Sequence, residues 1–277
     1  MITFHALLIH LQATQQAELP ATQGHLAHAA FLALIDTVNP ELAQKLHDFK
    51  GRKPFTLSPV WGLKSSAKKH HHVNTGQQLR LRLTLLDIDL FHAFMQKLLT
   101  PQNQTLRLGN AHFLITQVLG APESSPWSGY ATADTLMQNA TQSKRITLQF
   151  ASPTALGLGR TDSGKPRRET LPIPRYVWAS LRGSWRAFTG QDIPQTFEDW
   201  VERNVVVSRI ENWRTAMFRF NKGLQIGGLG QISYEALDDT PAMLRHWNTL
   251  ADFAFYSGVG IKTSMGMGVV RKHSHDA

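Results

Sequence analysis

Leu79-Arg80-Leu81-Arg82-Leu83-Thr84-Leu85 alternates apolar and polar residues at every step, the period of a strand with one buried face. Arg80 and Arg82 then share the face opposite the leucines, either gripping an anionic backbone or simply meeting solvent. Immediately downstream, Asp87 to Leu99 places Leu90, Phe91, Phe94 and Leu98 on one side of a helix, and residues 106 to 119 return to strand character. Upstream, the short apolar run Ile2 to Leu11 suits a strand. The Ala- and Leu-rich stretch from Gln23 to Ile35 suits a helix with Leu26, Ala30, Phe31 and Leu34 at helical spacing. Asn39-Pro40, a cap followed by a proline suited to the first turn, opens a second helix to about Asp48. The basic Lys50-Gly51-Arg52-Lys53-Pro54 that follows is a loop by its Gly and Pro. Strand, helix, strand, helix, strand is the order of a ferredoxin-like α+β unit.

The second half repeats this order without a strong internal sequence repeat. Ala121 to Ser143, rich in Ser, Thr, Asn, Gln and Pro, has no sustained periodicity and reads as a linker. Residues 144 to 150 alternate as a strand, Gly157 to Arg168 forms a Gly- and Arg-rich loop, and Pro174 starts a helix to about Phe188. On that helix Trp178, Leu181 and Trp185 face one way, as a core stripe or a base-stacking platform, and Arg175, Arg182 and Arg186 face another. Val205 to Ile210 and Thr215 to Phe220 read as two strands, Thr240-Pro241 opens a last helix to Phe255, and Val269-Val270-Arg271 closes the chain as a strand. The expected fold is therefore α+β, two tandem ferredoxin-like domains at residues 1–130 and 143–277, antiparallel sheets with helices on one face.

The 277 residues carry 29 Lys and Arg against 20 Asp and Glu, a formal charge of +9. The excess lies in both halves: 11 basic against 8 acidic residues before residue 140, and 18 against 12 after it. Such a surface on a folded chain suits phosphate contact, since each neutralised phosphate releases condensed counterions; solubility alone is the competing explanation. The absence of cysteine excludes a disulfide scaffold, a cysteine zinc site, an iron–sulfur cluster and a thiol nucleophile. No stretch approaches the roughly 18 apolar residues of a membrane span, and Met1-Ile2-Thr3-Phe4-His5 lacks the charged and apolar regions of a secretion signal, so a cytoplasmic protein is expected.

Several groups carry the chemistry. Gly258-Val259-Gly260-Ile261-Lys262-Thr263-Ser264-Met265-Gly266-Met267-Gly268 sets a lysine among four glycines. Such a segment either brings backbone amides close to a phosphate or forms a tight turn packed on a helix. It does not match the GxxxxGK[ST] loop or the dinucleotide fingerprint. His25 and His28 lie three apart on the first helix, and His47 ends the second, beside Lys50, Arg52 and Lys53. A histidine next to fixed cations is placed to move protons at a phosphodiester; the plain alternative is a helix-end surface histidine. Arg160, Lys165, Arg167 and Arg168 in the Gly/Pro loop are the stronger candidates for RNA contact. Lys68-Lys69-His70-His71-His72 reads as a solvated loop rather than a metal site, and no HExxH or DxD pattern supports a metal nuclease. No cofactor is expected.

Together these pieces resemble the Cas6 family of CRISPR repeat-processing endoribonucleases. Tyr256 to Val270 looks like that family's carboxy-terminal glycine signature in composition, spacing and position. Asn39-Pro40-Glu41-Leu42-Ala43 leading to Leu46-His47-Asp48, then Phe55-Thr56-Leu57-Ser58, is similar to its amino-terminal block. Two RRM-like units over the whole length fit as well. The resemblance implies cleavage of precursor CRISPR RNA within its repeats, without metal, by attack of a ribose 2′-hydroxyl on the adjacent phosphate. A 5′-hydroxyl and a 2′,3′-cyclic phosphate would result. It implies His47 as the catalytic histidine, in the base or the acid role, with His28 complementary or positioning, and Lys53 with Arg52 on the phosphate. Archaeal members place a tyrosine where this chain has Leu32, leaving a role that His28, one turn earlier, is placed to fill. Lys50, the Arg160 to Arg168 group and Gly258, Gly260, Lys262, Gly266 and Gly268 would contact RNA. The implied partner is repeat RNA, with other CRISPR effector subunits and a monomer or homodimer as further expectations. A non-cleaving repeat-binding subunit is the rival reading.

Overall fold

The computed structural model describes residues 2–63, 70–99, 104–220 and 223–273. Its first half runs β1 (Thr3–Ala13), β2 (Ala17–Pro20), α1 (Gly24–Asp36), α2 (Pro40–Asp48), β3 (Phe55–Leu57), β4 (His70–Val73), β5 (Gln78–Leu85), α3 (Ile88–Leu98), β6 (Thr105–Leu108), β7 (Ala111–Leu119), β8 (Gly129–Thr132) and α4 (Ala133–Gln138). The second half continues with β9 (Arg145–Thr154), β10 (Leu156–Arg160), β11 (Pro166–Glu169), α5 (Pro174–Thr189), α6 (Thr196–Asn204), β12 (Val205–Arg219), β13 (Leu224–Ala236), α7 (Pro241–Ser257) and β14 (Val270–Lys272).

The main sheets share one topology. The first is ordered β3-β5-β1-β7-β6, with β8 also on β1, and the second β12-β13-β9-β14, every pair antiparallel. Numbering the four main strands of each half, both sheets read 2-3-1-4, the ferredoxin-like order, so the expected fold class stands. Local chemistry starts the helices. The Asn39 side chain accepts from the Leu42 amide ahead of Pro40, Asp87 accepts from Leu90, and proline opens α5 and α7.

The alternation of β1 joins the halves. Leu7, Ile9 and Leu11 belong to the core under α1, α2 and α3, whereas Phe4 and Ala6 belong to the core of the second half, with Trp178, Trp185 and Trp247. Each sheet keeps its own helices on one face, and the first sheet's other face meets α7.

Four readings change. Residues 121–143 hold β8 and α4 instead of a plain linker, because Thr3–Ala6 of β1 takes Gly129–Thr132 as an antiparallel neighbour. The Gly157 to Arg168 loop is a hairpin, β10 on β11. The two strands expected between 205 and 220 are one, interrupted by bulges at Val207/Arg209 and Glu211/Arg214 that break its period. Its partner β13 escapes the pattern because Gly227, Gly228 and Gly230 dilute the strand signal.

Arg82 is the fourth. It does not share the exposure of Arg80; it is buried, donating through Nε to the Trp127 carbonyl (2.9 Å) and through Nη2 to the Phe255 carbonyl (2.7 Å) at the end of α7. Its guanidinium lies 4.2 Å from the centre of the Phe255 ring. Burial pushes its pKa down to about 9, so it still carries charge at neutral pH. Beside it Thr84 donates to the Tyr256 carbonyl (2.6 Å). The polar face of β5 is thus a dock for the carboxy end of α7, where cations and donors satisfy orphan carbonyls. On α5, Arg182 is buried against Asp192 and Glu198, and Trp178, Leu181 and Trp185 take the core role.

Candidate active site

The loop from Phe49 to Pro54 after α2, the face of α5 and the glycine-rich segment after α7 enclose a cleft of about 660 Å³. Lys50, Arg52 and Lys53 line one wall, Tyr176, Ser180 and Ser184 a second, and Gly260 with Lys262 to Met265 the third. Among the described residues, no Asp or Glu lines it.

The glycine-rich segment reaches across to the first half. A 3-10 turn at Thr263–Met265 abuts the start of α1 so closely that a Cβ on Gly24 would lie 1.7 Å from the Met265 carbonyl oxygen. One turn along α1, His28 Nδ1 meets the Ser264 carbonyl oxygen at 2.9 Å. A carbonyl only accepts, so Nδ1 carries the hydrogen and the neutral ring leaves its lone pair on Nε2. The ring stacks on Phe55, with centroids 5.4 Å apart. Burial is the main cause that lowers the pKa of His28; the charges of Lys53, His47 and Lys262 add to it, against the opposing hydrogen bond to Ser264. The cations anticipated in separate parts of the sequence therefore converge on one imidazole. His47 sits exposed in the last turn of α2. Leu32 packs against the first core.

The other anticipated residues are placed as follows. Arg52 reaches α5, where Nη1 donates to Ser184 Oγ (2.8 Å). The Lys53 ammonium points back into its own chain, donating to the carbonyls of Leu46, His47 and Phe49, the end of α2. Lys262 projects from a left-handed backbone (φ 57°) with Nζ 4.2 Å from the centre of the Phe220 ring. Arg168 is near enough to lower the pKa of Lys262, after the larger effect of burial. Arg160, Lys165 and Arg167 sit exposed on the β10–β11 hairpin, outside the cleft lining, and Arg160 is tied to the Gly164 carbonyl.

Three of the four glycine amides bond within the protein. The amides of Gly258, Val259, Ile261 and Gly268 donate to the carbonyls of Ala254, Gly268, Ala155 and Pro153, and that of Gly260 to Ser180 Oγ. Those five donors are committed within the protein, so at these positions the segment is a packed turn. Gly258, Gly266 and Gly268 are buried. At Gly268 (φ +72°) a Cβ would fall 2.2 Å from the Val259 carbonyl oxygen. Gly268→Ala is accordingly expected to lower the thermal midpoint by several degrees, as a strained left-handed substitution with a backbone clash. A thermal melt within a degree of wild type contradicts the packing role. Substitution at Gly266, 2.8 Å from Phe218 and 3.2 Å from Gly24 at its Cβ position, should likewise act through stability first.

Sequence reasoning had no access to the Ser264 carbonyl, or to Ser180 and Ser184, because a backbone oxygen and a helix-face serine leave no motif. Of the His70 to His72 run, His72 pairs with Glu18 at 3.1 Å across β4 and β2; Lys68 and Lys69 lie outside the described residues. Among the described residues no group of three or more His, Asp or Glu is placed to hold a metal ion, and no helix is long and apolar enough to cross a membrane.

Two ferredoxin-like units with a cationic cleft where their elements meet have the architecture of tandem-RRM proteins, a class whose common ligand is RNA. The comparisons narrow the class. A model of the CRISPR Cas6 N-terminal domain matches residues 3–138, and a model of the CRISPR-associated endoribonuclease Cas6 matches residues 148–270. Among solved structures, the Cas6 (TTHB231) product complex is 30% identical with a TM-score of 0.84, covering 99% of this chain and 100% of that one. Thermus thermophilus Cas6 (TTHB231) gives 28% and 0.75 over 99% of each chain. The Cas6 (TTHA0078) product complex gives 28% and 0.76 over 99% and 100%. A search of curated proteins returned no match. The chain belongs to the Cas6 family of CRISPR-associated endoribonucleases.

Proposed function

We propose that this protein cuts precursor CRISPR RNA within its repeats by metal-free transesterification, with His28 as general base and His47 as general acid. The observation that carries this reading is the His28 arrangement: an imidazole tied by Nδ1 to Ser264, its Nε2 left for proton abstraction, in surroundings that favour the neutral form. In the step, Nε2 of His28 takes the 2′-hydroxyl proton and the 2′-oxygen bonds to phosphorus. The bond from phosphorus to the 5′-oxygen breaks, and protonated His47 gives that oxygen its proton. A 2′,3′-cyclic phosphate and a 5′-hydroxyl leave. Lys262 and Arg52, both on the cleft wall, supply the positive charge that the phosphorane needs. A wall of cations with no carboxylate among its described residues also disfavours a divalent ion, which supports chemistry carried by side chains.

Repeat RNA incubated in EDTA tests this directly. Persisting cleavage with cyclic-phosphate ends is the expected result; activity lost on chelation would overturn the metal-free mechanism, and RNA that is shifted but intact would favour the non-cleaving subunit.

The pH dependence follows from the same geometry. A base must be unprotonated to act, and His28 is held below its ordinary value of 6.5. The single-turnover rate should therefore climb with pH along a limb whose midpoint lies under 6.5, and that limb should vanish in His28→Ala. An ascending limb centred above 6.5 contradicts His28 as the base.

A further inference from the structure

Lys53 has its ammonium where a substrate phosphate cannot easily use it. An ammonium has three N–H donors, and the carbonyls of Leu46, His47 and Phe49 take one each. These three oxygens belong to the last turn of α2 and its C-cap, which have no intrahelical donor of their own. One of them is the carbonyl of His47 itself, at 3.2 Å from Nζ. The backbone that carries His47 is thus pinned from the loop that follows it, and in the same contact the basic segment from Lys50 to Arg52 is closed into a short arc against α5, where Arg52 meets Ser184. The other cations lining the cleft are Lys50, Arg52 and Lys262.

We infer that Lys53 is a positioning residue for His47, acting as the C-cap donor of α2 instead of as a ligand of the scissile phosphate. The inference rests on the proposed roles of the two histidines, with His47 as the acid. The His47 side chain is exposed at the helix end, so the geometry of proton delivery depends on where the helix ends. A displacement of about 1 Å at such a group costs on the order of 10²-fold in rate.

A modified substrate separates the two roles. Repeat RNA with a 5′-sulfur in place of the bridging 5′-oxygen at the cleavage site has a leaving group that departs without a proton. It still builds the same charge on the non-bridging oxygens. His47→Ala should lose about 10²-fold or more on the oxygen substrate and regain most of that on the sulfur substrate. Lys53→Met should follow the same pattern: about 10²-fold slower with oxygen and within roughly 5-fold of wild type with sulfur. Because the comparison is between two substrates of one variant, partial unfolding cancels.

Lys53→Gln provides the second contrast. It removes the charge but keeps N–H donors for the helix end, so it should cleave the oxygen substrate faster than Lys53→Met. Equal losses on both substrates for Lys53→Met, no loss at all, or a Gln variant as slow as the Met variant would each overturn the positioning role. If His47→Ala itself is not rescued by sulfur, the assignment of His47 as acid fails instead, and the two failures are told apart.

Discussion

Replacing His28 or His47 with alanine is expected to slow single-turnover cleavage of repeat RNA by about 10² to 10⁴-fold each, the usual contribution of a positioned acid or base. The double variant should be little slower than the worse of the two, since groups that act as a unit are not additive. Neither change should unfold the protein. His47 is exposed, and His28 lies at the edge of the first core, against Phe55. RNA retention should fall far less than the rate, because the excess charge of the cleft rests on Lys50, Arg52 and Lys262. The measurement is a pair of assays, cleavage under single-turnover conditions and binding of a 2′-deoxy substrate that cannot react. If His47→Ala cleaves normally while His28→Ala is dead, the two-histidine assignment is wrong, and a base with a different acid must be sought around the same cleft.

The second large effect is on stability. Arg82→Met should cost about 3 kcal/mol, because it strands two partly buried carbonyl oxygens, those of Trp127 and Phe255, each worth about 1–3 kcal/mol when unsatisfied. Release of a buried charge offsets part of this. For a chain of this size that is a fall in thermal midpoint of roughly 6–12 °C. Arg80→Met, two residues away on the same strand but exposed, should change stability by no more than about 0.5 kcal/mol. The pair is its own control. If both variants melt together, Arg82 does not bolt the first sheet to α7. Because α7 leads directly into the glycine-rich segment, Arg82→Met should also slow cleavage at temperatures well below its midpoint, by loosening the Ser264 contact to His28.

What the sequence by itself determined is the set of elements whose signals are local. Leucine alternation marked β5, the Asn39-Pro40 cap marked the start of α2, and the Trp178, Leu181, Trp185 stripe marked the buried face of α5. Periodicity and capping are properties of a few neighbouring residues, and they hold whatever the rest of the chain does. The basic loop after α2 and the glycine-rich close were legible in the same way, as composition, and both line the cleft.

Only the tertiary structure decided what covers a polar face and which distant groups meet. Arg80 and Arg82 have the same local signature, yet one is solvated and the other is buried under the end of α7, 173 residues away in the chain. His28 becomes a candidate base through the Ser264 carbonyl, 236 residues distant, an acceptor that every residue possesses and no motif announces. The glycines owe their place to that long-range contact: they let the turn at Thr263–Met265 pack against α1, and the amides of Gly258, Gly260 and Gly268 bond inside the protein. Local pattern records which side of an element avoids water. The partner that replaces water on the other side, and the chemistry that follows from it, exist only once the two halves have closed on each other.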